Sequence, residues 1–148
     1  VRMALLWKDL HGVENKSLSS SIKKFSTLSR EEMEKLSETV DLKYLLAIMN
    51  SCYASVLLTN LRGGDYHIVP EHIRNIPIPS ATESQQQELA NLATLMMEAV
   101  KKQQDAKSDQ EKNICKMRVE AIDTQINAKV YALYGLTEDE IAIVEKSK

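Results

Sequence analysis

The stretch Leu61–Pro79 reads LRGGDYHIVPEHIRNIPIP and separates two regions that are rich in helical patterns. It contains all three prolines and two of the four glycines among the 148 residues. The consecutive glycines Gly63 and Gly64 permit positive backbone φ angles and a tight reversal of the chain. A proline also moves the residue before it out of the helical region. The stretch therefore predicts a break between helices, with a short extended or β segment around residues 66–79.

Different local structures are predicted before and after Pro70. Residues 66–69 have strand character, whereas Pro70 suits the first turn of a short helix over Glu71–Arg74. Residues 75–79 read NIPIP and predict a rigid extended strap that lies across a hydrophobic surface. In that strap, we expect Ile76 and Ile78 on the same side.

Two helices are predicted before this stretch. Ser29 and Glu32 have the spacing of a capping box, which predicts a helix from Arg30 to about Glu38. Asp41 is a suitable N-cap for a second helix, from Leu42 to about Asn60. Apolar residues surround most of the circumference of that second helix, which predicts a single core helix that is buried by its neighbours.

Two longer helices are predicted after the stretch. One runs over about residues 83–105 from a capping box at Thr82, and the other over about residues 112–134. A polar segment, residues 103–112, predicts a turn or a frayed tip between them, and Gly135 predicts a left-handed end to the second helix. Matching apolar stripes on both helices predict a long antiparallel helical hairpin packed on the buried helix. A third capping box at Thr137 predicts a final short helix.

Composition limits the class of protein. The chain is 43% hydrophobic and 27% charged, with a net charge of −2, and it has no apolar run of about 18 residues. We therefore expect one mainly α domain over residues 1–148 with no membrane span, in the cytoplasm. Cys52 and Cys115 are expected to be reduced and buried thiols. Because the chain begins at Val1, we expect a piece of a larger protein in which residues 1–40 are the remnant of an upstream region and residues 41–148 form the helical region.

No motif for catalysis or for binding a cofactor is present in the sequence. Gly63 and Gly64 lack the third glycine and the lysine of a phosphate-binding loop, and no Asn/Asp-Pro-Pro-aromatic tetrad for adenine methylation occurs. The three histidines and two cysteines do not have the spacing of a metal site. We therefore expect no catalytic residues, no metal and no cofactor within this chain.

The candidate residues for DNA binding are basic or aromatic and lie in two places. Residues 1–30 contain six basic and two acidic residues, and the Gly-rich stretch adds two arginines. The candidates are Lys23, Lys24, Arg62, Tyr66, His67 and Arg74. The alternative for the stretch is a loop in which the tyrosine faces the core and both arginines are solvated. For the lysine pair, the alternative is a solvated helix face.

Three segments in this order carry a family resemblance. They are Tyr44–Ser51 (YLLAIMNS), then Gly63–Tyr66 (GGDY) leading to Asn75–Pro79 (NIPIP), then Ile122-Asp123 followed by Tyr131–Ile141 (YALYGLTEDEI). Together they resemble the C-terminal target-recognition (TaqI-like specificity) domain of type IIG restriction–modification enzymes and adenine-specific DNA methyltransferases. They are also similar to the helical spacers of type I specificity subunits, where a Pro-Ile-Pro strap precedes a glutamine-rich helix start.

The resemblance implies a role in which this chain does no chemistry itself. It implies a DNA target-recognition and spacer module that holds double-stranded DNA for an upstream methyltransferase or endonuclease domain. S-adenosylmethionine would then be bound by that upstream domain. The alternative is a structural interaction module, in which the helical hairpin packs against the upstream domain or forms a homodimer without contacting DNA.

Overall fold

The computed structural model describes residues 29–63 and 66–147, and these are mainly α-helical, as predicted. They form the helices α1 (Arg30–Glu38), α2 (Leu42–Met49), α3 (Cys52–Arg62), α4 (Pro70–Arg74), α5 (Glu83–Asp105), α6 (Asp109–Tyr134) and α7 (Glu138–Lys146). No strand occurs within the described ranges, so the strand character predicted for residues 66–69 does not produce a strand there. Contacts divide the chain into two compact units, residues 1–40 and residues 41–148.

Helix α1 belongs to the first unit and begins at the predicted capping box. The Ser29 hydroxyl accepts a hydrogen bond from the Glu32 amide at 3.3 Å, and the Glu32 carboxylate accepts one from the Ser29 amide at 2.8 Å. These bonds favour the charged form and hold the pKa of Glu32 below its ordinary value. The two donors would otherwise lack partners at the helix start.

The second unit differs from the sequence prediction at its first helix. The single helix expected over Leu42–Asn60 is wrong, because the chain ends α2 at Met49 and begins α3 at Cys52, with a bend of 65°. Asn50 closes α2 through a bond from its side-chain amide to the Leu46 carbonyl at 2.9 Å. Ser51 then caps α3, since its hydroxyl accepts from the Ala54 amide at 3.2 Å. Two adjacent polar residues thus satisfy both helix ends inside an apolar sequence.

The helices of the described ranges differ in length and apolar character. None of them is by itself long and apolar enough to cross a bilayer, and only the bent pair α2 and α3 meets the criteria of length and composition jointly.

Only one side of α2 is buried. Tyr44, Ala47 and Ile48 are buried where α2 packs against α5, whereas Leu42 and Leu46 are exposed. Two hydrogen bonds near the start of α2 support this packing: the Asp41 amide donates to Gln86 at 2.9 Å, and the Lys43 ammonium donates to Thr94 in the middle of α5 at 2.8 Å. The prediction that its neighbours cover this helix all round is therefore wrong.

Helices α5 and α6 make the most extensive helix–helix contact of the described residues. Only Ala106–Ser108 connect them, so the turn predicted over residues 103–112 is too long. The reason is a capping box: the Ser108 hydroxyl accepts from the Glu111 amide at 3.2 Å, and the Glu111 carboxylate accepts from Ser108. Polar residues at 109–112 therefore start α6 instead of extending the loop.

The end of α6 follows the sequence prediction. Gly135 has the left-handed φ of 67°, and Thr137 and Glu140 form the predicted capping box of α7. Helix α7 is tied to α6 by the Tyr131 hydroxyl, which donates to the Glu145 carboxylate at 2.7 Å. Helix α3 contacts α4, α6 and α7. It therefore links the short helix α4 to the two C-terminal helices.

Candidate nucleic-acid interface

The candidate interface begins where α3 ends. Gly63 adopts φ 60°, and its amide donates to the carbonyls of Asn60 at 3.2 Å and Thr59 at 3.3 Å. Glycine suits this position because other residues are strained at a positive φ. The stop at Gly63 places Arg62 on the last turn of α3.

Arg62 is only half-buried, but part of its guanidinium lies inside the protein. Its Nε atom is buried and has no hydrogen-bond partner within the described residues. A guanidinium has five N–H donors, so the remaining ones can serve a ligand outside. Arg62 is therefore held partly by packing, and any contact to a phosphate oxygen would come from its terminal nitrogens and not from the buried Nε.

Tyr66 and His67 follow the two residues 64 and 65, which lie outside the described ranges. Tyr66 is 92% exposed and His67 is exposed. The alternative prediction, in which this tyrosine faces the core, is therefore wrong. An exposed aromatic ring beside a histidine can stack on a base or donate a hydrogen bond to a phosphate.

Helix α4 carries the last candidate of this stretch. It begins at Pro70, as the sequence predicted, and the Val69 amide is satisfied by His72 Nδ1 at 3.4 Å. Arg74 donates to the Glu71 carboxylate at 3.0 Å, and both side chains are half exposed. Exposed ion pairs of this kind contribute about 0–1 kcal/mol. The pair can therefore exchange for a phosphate at little cost.

The strap that follows α4 is fixed to two helices by tyrosine hydroxyls. Tyr44 of α2 donates to the Pro79 carbonyl at 2.8 Å, and Tyr134 of α6 donates to the Pro77 carbonyl at 2.6 Å. The Tyr134 ring also packs edge-on against Tyr53 of α3, with centroids 4.5 Å apart. The strap is thus bonded directly to α2 and α6, and Tyr134 in turn contacts α3.

Only one of the two strap isoleucines is buried. Ile76 is 4% exposed, whereas Ile78 is 40% exposed, so the expectation that both share one side is wrong. Proline fixes φ near about −65°, which favours the polyproline geometry of about three residues per turn instead of the two-residue period of a strand. This geometry accounts for the different burial of residues 76 and 78.

Burial changes the acidity of the strap tyrosines. Desolvation raises the pKa of Tyr44, and it raises the pKa of Tyr134 to about 12 with further contributions from Tyr44 and Tyr53. Ionisation would place a negative charge in a partly apolar site against a carbonyl oxygen. Both hydroxyls therefore remain donors to the strap over the physiological pH range.

One residue that organises this region carried no prediction from the sequence. Asn127 of α6 is 3% exposed, its Oδ1 accepts from the Cys52 amide at 2.8 Å, and its Nδ2 donates to Asp123 at 3.1 Å. It thereby satisfies a free amide at the start of α3 from another helix. In the sequence, the position of this asparagine beside Ile126 of an apolar stripe could have indicated a buried polar residue.

Lys23 and Lys24, the two remaining candidates for DNA binding, lie outside the described residues. Within residues 29–63 and 66–147, no cluster of three or more His, Cys, Asp or Glu side chains could hold a metal ion. Cys52 and Cys115 are free thiols, but each is only half-buried, so the expectation that both are buried is wrong.

Comparisons with protein-family models, curated proteins and solved structures gave no match for this chain. The resemblance drawn from the sequence motifs therefore stays a prediction.

Proposed function

We propose that this chain is the DNA target-recognition and spacer module of a restriction–modification enzyme and does no catalysis itself. The observation that supports the proposal most is the pair of hydrogen bonds that two tyrosine hydroxyls donate to the strap. Tyr44, Pro77, Pro79 and Tyr134 come from the three separate segments that carry the family resemblance, and two hydrogen bonds join them. The three segments are thus in contact with one another, as expected if together they form a common scaffold.

In this role, α5 and α6 are an antiparallel hairpin that acts as the spacer and packs on α2, with residues 66–79 as an extended segment. The short connection at Ala106–Ser108 supports this arrangement. So does the ion pair between Glu88, near the start of α5, and Lys129, near the end of α6. A scaffold of this kind keeps a loop at a fixed distance from an upstream domain.

Double-stranded DNA contacts the end of α3 and helix α4 in this proposal. Arg62 and Arg74 bind phosphates and set the register, while Tyr66 and His67 reach the groove or the backbone. Lys23 and Lys24 add positive charge from the N-terminal region. The exposure of Tyr66 and the place of Arg62 on the last turn of α3 support this assignment.

The rest of the assembly follows from the same proposal. The parent polypeptide carries the methyltransferase or endonuclease upstream, binds S-adenosylmethionine there, and works in the cytoplasm. The free state of Cys52 and Cys115 is compatible with a reducing compartment.

Salt dependence of DNA affinity tests the proposal. In the parent polypeptide, Arg62→Ala and Arg74→Ala should each weaken duplex binding and reduce the slope of log affinity against log salt by about 0.9 for each phosphate that the variant no longer neutralises. Arg118→Ala is the matched control, because Arg118 is an exposed arginine on α6 away from the candidate loop. Unchanged slopes in both test variants would refute DNA binding by this loop.

A second function, a structural interaction module, is favoured by a different observation. An apolar groove of about 630 Å³ lies between α2, α5 and α6. Exposed apolar surfaces of this kind are typical of protein–protein contacts. Under this alternative the hairpin packs on the upstream domain or on a second copy, and the chain does not contact DNA.

A further inference from the structure

The groove has the shape and composition of a binding site for an apolar surface. Its walls are formed mainly by Leu46 of α2, Ala93, Met96, Met97 and Val100 of α5, and Ile126 of α6. Its volume falls in the range of about 300–1,000 Å³ that is typical of binding clefts. Methionines on such a wall can adjust their conformations to a partner.

The groove exists because α2 is short. Helix α2 ends at Met49 and the chain bends by 65° into α3, whereas α5 continues to Asp105. The α5 residues on the groove are numbers 93, 96, 97, 100, 101 and 104, which is the spacing of a helix face that packs on another helix. This face is about 16 Å long at about 1.5 Å per residue. Asp41 bonds to Gln86 and Lys43 bonds to Thr94, so α2 and α5 run in the same direction, and a longer α2 would continue along this face.

Lys101 favours an acidic residue at one position on the groove. Lys101 lines the groove and has no ion pair within the described part of the chain. The lining also carries one carboxylate, Asp123, which accepts a hydrogen bond from the Asn127 side chain at 3.1 Å. That neutral donor does not cancel the charge of a carboxylate, so an acidic residue is favoured beside Lys101 and not along the whole groove. An occupant with a carboxylate opposite Lys101 would therefore gain an ion pair at the rim.

We propose that this groove binds an amphipathic helix of a partner protein, with an apolar face in the groove and an acidic residue facing Lys101. The partner helix takes the position that a longer α2 would have taken, and completes a layer of three helices with α5 and α6. This is the helix-in-groove mode of recognition, in which anchors recur at i, i+3 or i+4, and i+7. The proposal goes beyond DNA recognition and does not rest on it.

A labelled designed peptide of about 15 residues, long enough to cover the face, provides the probe. It carries leucines at the anchor spacing and a glutamate placed for Lys101, and a second version carries lysine there. We expect saturable binding of the glutamate peptide, measured by fluorescence anisotropy. Met97→Asp should weaken it about tenfold or more, because a charge would enter an apolar contact.

Met117→Asp is the matched control for this variant. Met97 is 55% exposed and Met117 is 69% exposed, so neither change removes a core side chain, and only Met97 lines the groove. The control should leave the affinity unchanged. Equal reductions of affinity in both variants, or no saturable binding of either peptide, would overturn the proposal.

Charge reversal tests the orientation of the partner. Lys101→Glu should reverse the preference between the glutamate and lysine peptides, while Lys102→Glu, at an exposed neighbour that does not line the groove, should not.

Concentration-dependent self-association that Met97→Asp abolishes would instead assign the groove to a second copy of this chain. Since no DNA is present in this assay, its failure leaves the DNA proposal untouched.

Discussion

At the scale of single residues, Asn127 has the contacts whose removal should matter most. It is buried on α6, and it is the partner of the first amide of α3, where the chain restarts after the bend. A buried amide that loses its acceptor keeps the cost of desolvation without the hydrogen bond. The side chain therefore contributes more than its small apolar area would suggest.

Asn127→Ala should lower the free energy of unfolding by about 1–3 kcal/mol, the usual cost of leaving a buried polar group unsatisfied. The measurement is urea denaturation followed by circular dichroism. Asn113→Ala, at an exposed position of the same helix, is the control and should change stability by less than about 0.5 kcal/mol. Equal stabilities of the two variants would mean that Asn127 does not support the start of α3.

At the scale of the elements, capping boxes set most of the helix starts. Four of them are Ser29/Glu32, Thr82/Gln85, Ser108/Glu111 and Thr137/Glu140. Those with a glutamate depend on its charge, and the hydrogen bonds lower the pKa of Glu32, Glu111 and Glu140. A lowered pKa in the folded state contributes stability above the unfolded pKa, and this stability is lost as the pH falls.

The start of α7 should therefore loosen in acid. As the pH falls below the ordinary glutamate value of about 4.3, amide hydrogen exchange in the first turn of α7 should accelerate relative to its intrinsic rate. Glu140→Gln should abolish this extra pH dependence, because glutamine keeps the box but carries no charge. The start of α5 is an internal control, since its box already uses Gln85. Identical profiles for the wild type and Glu140→Gln would contradict the role of the carboxylate.

Elements with local signals could be predicted from the sequence, and elements that depend on tertiary contacts could not. Three of the capping boxes and the left-handed Gly135 follow from residues within a few positions of each other. The break at Asn50-Ser51 was hidden because apolar residues flank it on both sides. Its stabilising contact comes from Asn127, which is 75 residues away from Cys52.

At the scale of the whole molecule, some features of the candidate site also have local sequence signals, and others depend on tertiary contacts. The positions of Arg62 and Arg74 near helix ends follow from the glycines and prolines of the stretch, whereas the exposure of Tyr66 did not follow from the sequence, which left a core-facing tyrosine open. The groove has no local signature, because it results from the length of α2 relative to α5. The strap–tyrosine contacts likewise join residues 35 and 57 positions apart.

In the proposed function, the end of α3 and helix α4 present this module to double-stranded DNA while the helices behind them serve as a scaffold. Hydrogen exchange of the parent polypeptide with and without duplex DNA tests this division of roles most directly. We predict that DNA protects amides of residues 62–75, that high salt removes this protection, and that exchange in α5 and α6 is unchanged. Protection that is absent from residues 62–75, or that is confined to the groove formed by α2, α5 and α6, would contradict it.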